Sequence, residues 1–140
     1  MGEEKGGAKA TVAAGESRST NPFNVSLSLS PLRLSANARN SVNLLVKVKN
    51  ISDDPQLVSV DVMLPRNCML GFDSACINKV AEKRAGELKA GESVEVPVEI
   101  WANNQSKSGS FAVDVTVYSH YIGYEKVLSY IKKSTPLRVV

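Results

Sequence analysis

The sequence predicts an all-β protein: an antiparallel sandwich of two sheets with about seven strands and one buried core. Two observations carry this. Apolar and polar residues alternate strictly in segment after segment, which is the signature of strands with one buried face. No long segment of helical period separates them, so the alternation of strands and helices typical of a parallel sheet is absent. The chain has 140 residues, of which 43% are hydrophobic and 22% charged. That is enough for one core in one domain.

The elements follow in order. Residues 1–21 are rich in Gly, Ala, Ser, Glu and Lys, with Val12 as the one branched aliphatic. They are expected to form a disordered tail, because such a segment buries too little to offset its ordering entropy. The domain is expected over 22–140. Phe23, Val25, Leu27 and Leu29 alternate with Asn24, Ser26 and Ser28 in the first strand. Pro31 interrupts it, and Leu32 and Leu34 resume it as a half-strand. Val42, Leu44, Val46 and Val48 mark the next strand. The run NISDDP, from Asn50 to Pro55, is a turn by composition. Val58, Val60, Val62 and Leu64 follow.

Residues 74–85, SACINKVAEKRA, have room for one short helix of about two turns; an irregular crossover is the alternative. Gly86 and Gly91 bracket a turn before the stretch AGESVEVPVEIW. There Val94, Val96, Val98 and Ile100 face inward, and Glu95, Pro97, Glu99 and Trp101 form the opposite row. A proline cannot donate to a ladder, so this strand is expected at a sheet edge with Pro97 closing it. Phe111, Val113, Val115 and Val117 form another strand. Lys126 to Val140 is β-rich but less regular.

Three segments together resemble a known family. They are VNLLVKVKNISDDPQLVSVDVMLP (Val42 to Pro65), GELKAGESVEVPVEIW (Gly86 to Trp101) and SGSFAVDVTVYS (Ser108 to Ser119). Their order resembles the immunoglobulin-like accessory β-sandwich domains of archaea and bacteria, of the cell-adhesion-related and alpha-galactosidase-associated types. It is also similar to major sperm protein-like domains. The resemblance covers residues 23–140 and implies an immunoglobulin-like fold and a binding or spacer role. The longer segment 66–85 departs from the family pattern, and so does the expectation that these 140 residues hold the module alone.

Chemistry is sparse. The single histidine, His120, lies in YSHYIGY, from Tyr118 to Tyr124, with three of the four tyrosines. Tyrosines on a loop supply contact area at low entropic cost. Tyr118, His120, Tyr121 and Tyr124, with Trp101 as a second patch, are therefore the candidate partner-binding residues. Gly123 is expected to make the tight turn. A loop histidine is the simplest reading of His120, and a Cys68 or Cys76 enzyme with His120 and Asp114 lacks sequence support. No phosphate loop, GxSxG, HExxH or EF-hand loop is present. Two cysteines and one histidine are too few for a structural zinc, so no metal, cofactor or catalytic residue is assigned.

The leading reading is a non-catalytic protein-interaction module that uses the tyrosine-rich loop or an open strand edge. An extracellular or cell-surface accessory domain with carbohydrate contact is the alternative. The net charge of +3 is no argument for nucleic acid. No apolar run is long enough to span a membrane as a helix. The start MGEEKGG lacks a secretory pattern, so a cytoplasmic location with reduced Cys68 and Cys76 is expected. The sequons at Asn24, Asn50 and Asn104 matter only if the chain is exported.

Overall fold

The computed structural model describes residues 16–17 and 21–140. Ten strands build it: β1 (Glu16–Ser17), β2 (Phe23–Ser30), β3 (Arg33–Leu34), β4 (Asn40–Asn50), β5 (Gln56–Met63), β6 (Leu70–Gly71), β7 (Val80–Leu88), β8 (Ser93–Ala102), β9 (Gly109–His120) and β10 (Val127–Val139). Seven of these run eight residues or longer. Of the expected tail, β1 and Asn21 are described; the rest lies outside the described residues.

The strands form two sheets. One runs β2-β4-β8-β6; the other runs β1-β10-β9-β5-β7, with β3 also on β10. All pairings are antiparallel except β3 with β10, where Arg33 and Leu34 lie opposite Arg138 and Val139. The opening strand splits at Ser30–Pro31, a cis peptide, and its second part crosses to the other sheet. This order, with the first, second and fifth long strands in one sheet, is the immunoglobulin-like arrangement.

The core is the meeting of the two inner rows. Val42, Leu44, Val46 and Val48 of β4 face Val58, Val60 and Val62 of β5, and Val113, Val115 and Val117 of β9 complete the layer, each at most 1% exposed. Valine suits these rows because its branched side chain fits the pleat. Each such burial stabilises by roughly 1.5 to 3 kcal/mol.

Among the described residues there is no helix. Where one short helix had room, residues 74–76 turn, 77–79 are irregular and Val80–Leu88 is strand β7. Its alternation is weak because the sheet buries little of it: most of β7 is exposed, and its register with β5 slips between Val58 and Ser59. The loop before β7 is held by Lys79, whose ammonium donates to the carbonyls of Cys68, Leu70 and Cys76. Gly71 packs so closely there that a Cβ would lie 2.4 Å from the Cys76 Cα.

Asn50 ends β4 and its side chain organises the turn that follows. Fully buried, it donates to the carbonyls of Asp54 and Leu88 and accepts from the Ser52 amide and hydroxyl. Folded, this amide is closed to glycosylation.

Pro97 sits on an edge strand, as its missing donor requires. β8 pairs with β4 along its length, while β6 covers it only opposite Trp101 and Ala102. The edge strand β7 carries Glu82, Lys83, Arg84 and Glu87. The β10 edge is covered in part by β1 and β3. The remaining margin, β2, pairs with β4 on one side.

Candidate interaction site

The five residues nominated from sequence do not form one cluster. Tyr118 and His120 are not loop residues but the last outward-facing positions of β9. They were expected in a loop because the polar, aromatic run YSHY breaks the alternation of valines. Tyr121 and Tyr124 lie in the β9–β10 hairpin above them. Trp101 stands on the outer face of the other sheet, near the end of β8.

The hairpin is built from its base upward. The His120 ring lies 3.2 Å from the Lys126 carbonyl through Nδ1 and 2.6 Å from the Ser59 Oγ through Nε2. A carbonyl only accepts, so Nδ1 carries a hydrogen, and Nε2 shares the other hydrogen bond with the Ser59 hydroxyl. Tyr124 folds over this pair, its ring edge-on to His120 at 5.2 Å between centroids. The Tyr124 hydroxyl accepts from the Gly86 amide on β7, and the Arg84 guanidinium lies over its ring at 4.6 Å. Tyr118 joins its ring neighbours His120 at 5.9 Å and Tyr130 at 6.3 Å. Ser119, on the inner side, donates to Gln56.

These contacts give each aromatic a place. Tyr124, Tyr118 and His120 are spent on fixing the hairpin to the sheet. Tyr121 and Ile122 are what it presents, with 54% and 84% of their surface exposed. Gly123 begins the tight turn, its carbonyl accepting from the Lys126 amide at 3.3 Å, but the positive φ, 65°, falls on Ile122. A left-handed conformation is strained for a β-branched residue. Hydrogen bonds hold it there: Tyr121 and Lys126 pair at 3.1 Å, and the Gly123 amide donates to the Tyr121 carbonyl at 2.7 Å. Val127 and Leu128, both exposed, flank the tip. Sequence reasoning missed Ile122 because the neighbouring glycine was the natural owner of a left-handed turn. It missed Ser59, a serine on the polar row of β5, because its partner lies 61 residues away.

Charge on this face is mixed. Asp61 lies directly across from Glu82 on β7 and from Thr116 on β9. Partial burial pushes its carboxyl above the usual range, Glu82 adds to the rise, and His120 opposes it. Burial also raises the Tyr118 phenol, helped by Asp61 and opposed by Lys132.

Elsewhere the candidates separate. Trp101 has the Arg39 guanidinium over its ring at 5.5 Å, and its Nε1 donates to Glu99. The two cysteines are free and buried. Cys76 donates to the Trp101 carbonyl, and its thiol is pushed up chiefly by burial. They lie at the end of the sandwich where β9 begins, since the Ser106 hydroxyl of the loop preceding β9 donates to Met69. His120 ends β9, twelve residues long, so the strand's length, about 35 Å, keeps His120 from both thiols. The structure does not bring the Cys, His120 and Asp114 constellation together. Among the described residues, no cluster of three or more His, Cys, Asp or Glu suits a metal, and no helix is long and apolar enough to cross a membrane.

No protein-family model and no curated protein matches the chain. Solved structures do. The C-terminal domain of wzt superposes with a TM-score of 0.59 at 10% identity, covering 91% of this chain and 78% of that one. Escherichia coli alpha-2-macroglobulin in its native conformation gives 0.58 at 18% identity, over 95% of this chain and 7% of that one. The Pseudomonas fluorescens alkylpurine DNA glycosylase AlkC, bound to DNA containing an abasic site analog, gives 0.53 at 17% identity, over 84% and 30%. This chain thus spans less than a third of the last two proteins. At these identities the likeness establishes the fold: an immunoglobulin-like two-sheet sandwich of the kind built into larger proteins.

Proposed function

We propose that the chain is a non-catalytic interaction module that engages a protein partner through the tip of the β9–β10 hairpin. Ile122 carries the reading: a β-branched side chain held at positive φ and turned 84% into solvent. Backbone strain of this kind costs on the order of 1 to 3 kcal/mol and persists where the surroundings impose it, often at binding sites. The supports beneath it, His120 with Ser59 and Tyr124 with Arg84 and Gly86, make the tip a preorganised contact, which lowers the entropic cost of binding. The Ser59–His120 pair is read as part of that support: both residues are at most 9% exposed, and Tyr124 lies over the histidine.

The test is an affinity capture from extract of the source cells with the protein and with the double variant Tyr121→Ser, Ile122→Asn. A partner retained by the first and lost by the second, at equal thermal stability or better, supports the assignment. Identical captures from both proteins overturn it.

A further inference from the structure

The sandwich also has an open margin. β7 is studded with charges, β8 has Pro97 and the short β6, and β10 has β1 and β3. All are recognised ways of closing an edge. β2, FNVSLSLS, has eight residues with no charge and no internal proline. Among the described residues, no strand pairs with its outer side.

Its inner row thins toward one end. Phe23 and Val25 are 2% exposed, whereas Leu27 and Leu29 are half-buried. One more strand beside β2 would continue the sheet and cover those leucines.

The charge nearest this margin is mainly basic. The basic side chains on this side are Lys47 and Lys49 of the neighbouring strand β4 and Lys133 on the inward row of β10, and β2, β3, β4 and β10 hold no Asp or Glu. Of the acidic side chains, Glu82 and Glu87 sit on β7, and Glu95 and Glu99 sit on β8 beyond β4, where Glu95 lies directly opposite Lys47; Lys49 has the neutral Asn24 and Ser93 across from it and keeps its charge for the margin. Lys133 lies opposite Val115, so it faces the inter-sheet side, where β2 packs across from β10. Desolvation there holds its ammonium below the usual lysine range.

We propose that β2 accepts an extended, acidic segment of a partner protein as an added antiparallel or parallel strand. Main-chain hydrogen bonds to the open side of Phe23–Ser30 supply affinity. The partner's apolar row covers Leu27 and Leu29, and its carboxylates answer the basic strands. This surface is separate from the hairpin tip and does not depend on it.

The test uses a capped seven-residue peptide alternating valine and glutamate, and its counterpart with lysine in place of glutamate. Amide hydrogen exchange is read residue by residue. With the glutamate peptide at about nine times its Kd, outward-facing amides of β2 are expected to exchange about tenfold more slowly. The lysine peptide is expected to leave them unchanged. Lys49→Glu, whose partners across the sheet are the neutral Asn24 and Ser93, is expected to weaken glutamate-peptide binding about threefold. The variant Tyr121→Ser, Ile122→Asn is expected to bind it as the parent does, which separates this surface from the loop. Protection by both peptides alike, protection on β7 instead, or no protection at β2 overturns the proposal. So does concentration-dependent protection of β2 without peptide, which would make a second copy of the chain the occupant.

Discussion

The left-handed Ile122 makes a prediction that few surface residues allow: replacing it should stabilise the protein. For an L-residue this conformation costs roughly 1 to 2 kcal/mol, and β-branching places isoleucine at the high end. Asparagine tolerates it far better. The side chain is 84% exposed, so about one-sixth of its apolar surface is lost on substitution, worth about 0.4 kcal/mol. Ile122→Asn should therefore gain about 1 kcal/mol. A domain of this size unfolds with an entropy of about 0.25 kcal/mol/K, so the melting temperature should rise by about 4 °C. The assay is paired thermal and urea unfolding followed by circular dichroism. Gly123→Ala is the control: its added Cβ meets the Glu125 carboxylate, the far end of a flexible side chain. It should change stability little. If Ile122→Asn lowers stability, or Gly123→Ala is the costlier change, strain at Ile122 is refuted.

Further expectations rest on other named groups. Asn50→Ala should cost about 3 kcal/mol in urea unfolding, because it orphans buried carbonyl and amide groups that the side chain now satisfies. Asn50→Asp should not restore the loss, since it keeps the acceptor but not the donors. Gly71→Ala should be among the costliest single changes, several kcal/mol by the same measurement, because its Cβ would collide with the Cys76 backbone at 2.4 Å. Asp61 titrates higher folded than unfolded, so the native state binds the extra proton and stability falls as pH rises through that window. Asp61→Asn should then stabilise at neutral pH, with the gain vanishing below about pH 4. A gain that persists unchanged at pH 3 would contradict burial of the charge as its origin.

The rows of valine made the sandwich readable, because period-two burial is written directly in residue order. The place of Pro97 on an edge followed from its missing donor, and that of Trp101 on an outer face from parity. The turn at Asn50 was legible because its chemistry is local. What was not legible is what tertiary contact decides. Val80–Leu88 has too little alternation to announce a strand, since only Leu88 is buried, the small Ala81 and Ala85 make its other core contacts, and its ladder to β5 holds the rest. The tyrosine loop was found, but the division of labour within it was not. Tyr124 is committed by Arg84 and Gly86, some 40 residues away in sequence, and His120 by Ser59. Nothing in YIGYEK says that isoleucine rather than glycine takes the left-handed turn.

The most direct measurement places a photoreactive benzophenone side chain at position 122 and, separately, at Ile77, which is also largely exposed. Both proteins are irradiated in extract from the source cells. A discrete adduct formed from position 122, absent from position 77 and competed by excess unlabelled protein but not by Tyr121→Ser, Ile122→Asn, is the predicted result. The same adducts from both positions, or competition by the double variant as strong as by the parent, would contradict the account.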